Sequence, residues 1–191
     1  MTHPHQHRAA AADKGWLKSY YAVRALFSLL WVALAFTIGR NVPAIGTGLL
    51  LLYPAWDSLA NLYDARRSGG LRANPSQAVN MVASALVTLA IAAALIATRD
   101  LHAAIGVIGL WAILAGLLQL ATALRRRGGV GAQWPMMLSG AQSCLAGGHF
   151  AKMAADASAH PGVADVAPYA AFGAFYFAIS AAVLAWRARR D

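Results

Sequence analysis

Asp57 is the residue whose type and position point most directly to chemistry. It lies within an apolar stretch, with Tyr53 four residues before it and Asn61 four residues after it, and on a helix this spacing places the three side chains on one face. Two interpretations stay open: a proton or cation path, and a hydrogen bond to a neighbouring helix. The second is favoured, because a relay needs more ionisable groups inside its apolar stretches than this chain has.

Three histidines form a second candidate, a group that responds to pH. His149 ends an apolar run and shares helical spacing with Lys152 and Asp156, while His102 and His160 lie in short connections between apolar stretches. Imidazole titrates near pH 6.5, which is the range of mild acid. The alternative is that three scattered histidines reflect chance, and it is favoured because the ordinary titration range is the sensor's only support.

Two glutamines, Gln119 and Gln142, also lie inside apolar stretches, as does Asn80. The sequence has no phosphate-binding loop, no HExxH-type metal motif and no nucleophile with an acid or base partner at useful spacing. It therefore predicts no catalytic residue, no metal site and no cofactor, and the chain is not expected to be an enzyme.

The composition indicates the elements that must position these side chains. The 191 residues are 59% hydrophobic and 12% charged, against about 25% charged in a soluble domain. Lipid leaves unpaired backbone groups without partners, so the long apolar segments must be helices that span a bilayer. The net charge of +9 does not predict nucleic-acid binding, because the basic residues lie at the ends of the apolar segments. The predicted environment is therefore the lipid bilayer.

The apolar segments predict an all-α bundle of six transmembrane helices between short connections. Each segment approaches the roughly 20 residues that a helix needs to cross the hydrocarbon core. The predicted spans are residues 21–39, 44–64, 77–98, 103–124, 134–155 and 169–186. Residues 1–20 then form a disordered cytoplasmic tail, residues 21–186 the membrane domain, and residues 187–191 a short cytoplasmic tail.

The distribution of Lys and Arg predicts the orientation of the bundle. Nearly all of the 16 basic residues fall on one side of the predicted spans, and only Arg40, Arg99 and Lys152 fall on the other. Short cytoplasmic loops retain basic residues, so both termini are predicted to lie in the cytoplasm. A cleaved signal peptide ending near residues 33–35 is the alternative for the first span, and it is disfavoured because the polar stretch before that span is long.

The even-numbered spans resemble one another in the residues before their basic ends, which favours three helical hairpins in tandem. Small residues at helical spacing predict close packing between helices in lipid. On the fifth span these are Gly140, Cys144 and Gly148, and on the fourth they include Gly109 and Gly116.

This arrangement resembles the HdeD-like family of small bacterial membrane proteins. The resemblance covers the chain from Trp16 to Arg190, with an aromatic residue ahead of an odd-numbered span and a basic cluster after an even-numbered one. The segments that carry it are Trp16 with residues 24–28, Trp134 with residues 138–143, and residues 109–116 followed by 125–129. Residues 80–85 depart from the pattern, because they lack both the tryptophan and the glycine.

The resemblance implies a multi-pass protein of the bacterial inner membrane, connected with acid or envelope stress tolerance and without established catalytic residues. The alternative is a small transporter or channel for protons, cations or solutes, with a polar path lined by Asp57, Asn61, Asn80, Gln119 and Gln142. A scaffold role, with a second copy of the chain or another membrane protein as partner, is a third interpretation.

Overall fold

The described residues of the protein form six α-helices and no strand, as the sequence predicts. The structure is a computed structural model that describes residues 4–125 and 134–189. The helices are α1 (Pro4–Leu34), α2 (Pro43–Arg67), α3 (Pro75–Thr98), α4 (Leu101–Arg125), α5 (Trp134–Ala155) and α6 (Val163–Arg187). Residues 126–133 between α4 and α5, which include residues 126–129 of the basic pattern named above, lie outside the described residues.

Helix boundaries follow from proline and from left-handed backbone. Pro43 and Pro75 begin α2 and α3, where the missing N–H of proline costs nothing. Arg99 ends α3 with φ 54°, a conformation that turns the chain directly into α4. Gly69 and Gly70, with φ 98° and 93°, supply the same positive φ in the longer loop after α2, where glycine has no Cβ penalty.

Two helices begin earlier than the sequence indicates. α1 begins at Pro4, within the segment predicted as a disordered tail, and its alanine-rich residues 9–12 favour helix strongly. α6 begins at Val163 rather than near Tyr169. There the Asp165 carboxylate accepts a hydrogen bond from the Gly162 backbone N–H at 2.8 Å, which caps the helix ahead of Pro168.

A π-helical turn, Ala35–Gly39, follows α1 directly. The Arg40 N–H donates to the Ala35 carbonyl at 3.0 Å, five residues back rather than four. Such turns hold one more residue than an α-helical turn.

The chain divides into two compact units. Unit 1 contains residues 1–34 and 167–191, that is α1 and most of α6, and unit 2 contains residues 35–166. Within unit 1, Tyr21 of α1 stacks on Phe177 of α6 with ring centroids 6.2 Å apart. Within unit 2, α4 packs closely along α5, and α2 packs along α3, which also contacts α4.

Glycines bring α4 and α5 together. A Cβ added at Gly116 would lie 2.5 Å from the Gly140 carbonyl oxygen, and one at Gly147 would lie 2.6 Å from that of Gly109. Real Cβ atoms do not approach oxygen so closely, so these positions accept only glycine without movement. Gly140 and Cys144 of the predicted stripe lie at this contact, but the third position on α5 is Gly147 and not Gly148, because a Cβ at Gly148 would meet nothing within 4 Å.

Within the described residues, four helical segments are long and apolar enough to cross a membrane: Gly15–Gly39, Pro75–Thr98, Leu101–Ala121 and Val163–Trp186. Large apolar side chains lie exposed on these helices, among them Leu26, Leu89 and Ile96 at 68%, 66% and 81%. A lipid bilayer is the environment that such surfaces require. The remaining two of the six predicted spans, α2 and α5, carry more polar residues, chiefly Asp57 and Asp64 on α2 and His149 and Lys152 on α5.

Candidate functional site

Asp57 lies at the centre of a hydrogen-bonded cluster between α2 and α3. The Ser84 hydroxyl of α3 donates to Asp57 Oδ2 at 2.7 Å. The Asn61 side-chain amide donates to the same oxygen at 3.1 Å and to the Asp57 main-chain carbonyl at 2.8 Å. Ser84 and Asn61 are both buried, with 1% and 6% of their surface exposed, so the carboxylate faces protein and not lipid.

The cluster belongs to a longer polar seam along the same two helices. The Ser58 hydroxyl donates to the Met81 carbonyl at 2.8 Å, and the Gln77 amide donates to the Asp64 carboxylate at 3.2 Å. The pairs advance along α2 as they retreat along α3, which is the register of an antiparallel hairpin. Asp57, Ser58 and Asp64 thus each have a hydrogen-bond partner on α3, whereas Asn61 is held by Asp57 of its own helix. Buried polar groups in lipid require such partners.

The seam joins two helices through hydrogen bonds of their side chains. The hydrogen bonds to the Asp57 carboxyl group come from a hydroxyl and an amide. Neither is an acid or base near neutral pH. Asn61 at the i+4 position was visible in the sequence, whereas Ser84, which is 27 residues away, was not.

Tyr53, predicted to continue the face of Asp57 by one turn, contacts a different helix. Its ring meets that of Trp111 on α4 edge to face, with centroids 6.3 Å apart. Aromatic pairs favour this geometry. Pro54, the next residue, is buried inside α2.

The other predicted polar residues are distributed over different contacts. Gln119 of α4 accepts a hydrogen bond from the Ser139 hydroxyl of α5 at 3.4 Å, so it belongs to the α4–α5 interface. Gln142 is half-buried on α5, and Asn80 is exposed on α3.

The three candidate histidines have three different surroundings. The ring of His102 lies between Asp100 Oδ1, at 2.7 Å from Nδ1, and the Asp156 main-chain carbonyl, at 3.2 Å from Nε2. His149 is exposed on α5. His160 lines a cavity of about 290 Å³ together with Arg40, Asp165 and residues of two neighbouring connections. The three predicted histidines therefore do not share one environment. His102 is held by Asp100, a residue that was not singled out from the sequence.

Two carboxylates beside His102 are held in their charged form. The backbone N–H and the ring of His102 donate to Asp100 and lower the pKa of its carboxyl group. The Ser158 hydroxyl and backbone N–H, at 2.6 Å and 2.9 Å, do the same for the pKa of Asp156. These contacts fix both short connections in one conformation.

Arg24 of α1 is a further feature, which the sequence pattern indicates only as a topology signal. Its guanidinium lies 4.2 Å from the centre of the Phe177 ring and donates to the Tyr20 hydroxyl at 3.0 Å. A cation over an aromatic face is attracted by the ring. Tyr20 lies four residues earlier on the same helix. This i, i+4 spacing is the sequence signal that could have indicated a contact of Arg24.

Among the described residues, no group of three or more His, Cys, Asp or Glu side chains is placed to hold a metal ion. The single cysteine, Cys144, is free and half-buried on α5. Comparisons of the chain with family models, with curated proteins and with solved structures found no match.

Proposed function

We propose that the chain is a non-enzymatic, multi-pass protein of the bacterial inner membrane, similar to the HdeD-like family and acting in acid or envelope stress tolerance. The non-enzymatic part of this proposal is supported by the role of Asp57. This carboxylate in the middle of α2 accepts hydrogen bonds from Ser84 and Asn61 and so serves helix contact. The resemblance of its sequence to the HdeD-like family supports the stress role.

We propose six spans, with α2 and α5 crossing beside the four more apolar helices. α2 has 25 residues and α5 has 22, each long enough to cross the hydrocarbon core. The seam pairs polar residues of α2 with α3, and glycines pair α5 with α4. Polar residues that face a neighbouring helix cost far less than polar residues that face lipid.

Both termini then lie on the cytoplasmic side, because the number of spans is even and the basic residues favour that orientation. The turn after α3 and the connection after α5 lie outside the cytoplasm in this topology, and His102 lies at the outer end of its span.

Reporter fusions at Ser68 and Ala157 test this topology, since the first is expected on the cytoplasmic side and the second on the outer side. An inside signal at Ala157 contradicts it.

The stress role is tested by survival of a deletion strain after acid shock, with the wild-type chain restored at native level. Rescue by the wild type is expected, and Asp57→Asn at matched expression is expected to rescue nearly as well, because an amide oxygen still accepts from Ser84. Absence of any rescue by the wild type removes the stress role.

Purified protein in proteoliposomes tests separately whether the chain transports protons, cations or small solutes. We expect no flux of protons, cations or small solutes above that of empty vesicles. Flux that Asp57→Asn abolishes would replace the proposal with a transporter whose path runs past Asp57.

A further inference from the structure

Both ring nitrogens of His102 face hydrogen-bond acceptors. Nδ1 lies 2.7 Å from Asp100 Oδ1, and Nε2 lies 3.2 Å from the Asp156 main-chain carbonyl oxygen. A neutral imidazole has one N–H group and an imidazolium has two. Both hydrogen bonds can therefore form together only when the ring is doubly protonated.

The two acceptors belong to different connections, and each is held firmly. Asp100 Oδ1 also accepts the His102 backbone N–H at 3.0 Å, in the turn after α3. Asp156, after α5, is fixed by Ser158, and its carbonyl oxygen also accepts the Ala159 N–H at 3.0 Å. The His102 ring thus links two connections, since His102 and Asp156 are 54 residues apart in sequence.

The charged groups around the ring are mostly acidic. Asp100 and Asp156 are the carboxylates that interact with it, and Lys152 of α5 also interacts with Asp156. Arg99, the neighbour of Asp100, is exposed. The Asp100 contact is the shorter of the two hydrogen bonds and joins opposite charges, so it favours the imidazolium form.

We propose that His102 is a pH-operated latch that fastens the turn after α3 to the connection after α5. With the ring doubly protonated, both hydrogen bonds hold and the latch is closed. On deprotonation the remaining proton stays on Nδ1, beside the Asp100 carboxylate. Nε2 then presents a lone pair to the Asp156 carbonyl oxygen, and repulsion between the two opens the latch. This device does not depend on the proposed stress role, because it follows from the contacts of one ring.

The protonation state is tested by ¹⁵N NMR of histidine-labelled protein in lipid nanodiscs, assigned with His102→Phe. At about pH 6 the His102 ring is expected to show two protonated nitrogens, and at higher pH one protonated nitrogen, Nδ1. Asp100→Asn is expected to move the midpoint of the titration to lower pH. A neutral His102 ring at about pH 6, or a midpoint that Asp100→Asn leaves unchanged, overturns the proposal.

The opening is tested by the distance between spin labels at Arg99→Cys and Ala157→Cys in a Cys144→Ala background. A narrow distance distribution is expected at about pH 5.5 and a broader one at about pH 8.5. His102→Phe should give the broad distribution at both values. His160→Gln, on the same connection as Asp156, is the matched control and should keep the response of the wild type. A distribution that does not change with pH, or a response lost in His160→Gln, contradicts the latch.

Discussion

Two helix pairs in unit 2 are held together by opposite means. α2 and α3 are joined by side-chain hydrogen bonds, with the Asp57 carboxylate receiving the Ser84 hydroxyl. α4 and α5 are joined by backbone contact, with Gly116 against Gly140 and Gly147 against Gly109. The first pair loses stability when a polar group is removed, and the second when a methyl group is added. The comparison shows two ways in which neighbouring membrane helices fix their packing register: side-chain hydrogen bonds and close backbone contact at glycine.

The largest loss of stability is expected from Gly147→Ala, because this substitution adds a methyl group to the backbone contact between α4 and α5. The new Cβ would lie 2.6 Å from both the Gly109 carbonyl oxygen and Ile113 Cγ1, so α4 and α5 must move apart. We expect a loss of about 2 to 3 kcal/mol in the free energy of unfolding, measured in mixed micelles with increasing denaturing detergent.

Gly148→Ala is the matched control for this change. It lies next to Gly147 on the same helix, and its Cβ would meet nothing within 4 Å. Alanine favours helix over glycine by roughly 0.5 to 1 kcal/mol, so a neutral or slightly stabilising effect is expected. Equal losses from both substitutions would show that α4 and α5 do not approach through the Gly147 face.

Asp57→Ala tests the other pair and is expected to have the next largest effect. It leaves the buried Ser84 hydroxyl and Asn61 amide without their shared acceptor. Polar contacts between membrane helices are worth up to about 1.7 kcal/mol, so a loss of about 1 to 2 kcal/mol is expected in the same unfolding assay.

Asn80→Ala serves as the control for the polar pair, since Asn80 is an exposed polar residue of α3. Little change is expected. A loss at Asn80 as large as that at Asp57 would contradict the assignment of α2–α3 stability to the seam.

A smaller effect measures the contact between Asp57 and Ser84 directly. Asp57→Ala and Ser84→Ala, alone and combined, form a double-mutant cycle with an expected coupling of about 0.6 kcal/mol. The same cycle with Asp57→Ala and Thr88→Ala is the comparison, because the Thr88 hydroxyl donates to the Ser84 carbonyl of its own helix. Coupling of zero in the first cycle would place Asp57 in another role.

The smallest effect concerns the polar connections at the ends of these helices. The pKa values of Asp100 and Asp156 lie below their ordinary value, which is about 3.9. The stability that these carboxylates add is therefore present above about pH 4 and is lost as the pH falls through the lowered values. The Ser158 amide resonance should stay in place at about pH 5 and shift below about pH 4, and Asp156→Asn should remove that shift.

The sequence predicts the helical class and the number of helices because long apolar segments have few alternatives in lipid. It also predicts Asp57 with Asn61, since neighbours at i and i+4 share a helix face in any helix. Ser84 and the choice of Gly147 over Gly148 depend on how two helices are rotated against each other. Asp156, 54 residues from its contact with His102, depends on which connections meet. No local pattern encodes either relation.

The π-helical turn Ala35–Gly39 also has a consequence for how this chain tolerates insertions and deletions. A residue added to or removed from an α-helix rotates every later side chain by about 100°. The turn already absorbs one residue, as the Arg40 N–H bond to Ala35 shows. The helix ends with this turn, because Arg40 and Asn41 are no longer helical, so no further turn of the same helix follows that a deletion could rotate. Loss of a single residue from Ala35–Gly39 is therefore expected to restore ordinary α-helical bonding and to leave the side-chain faces of α1 unchanged.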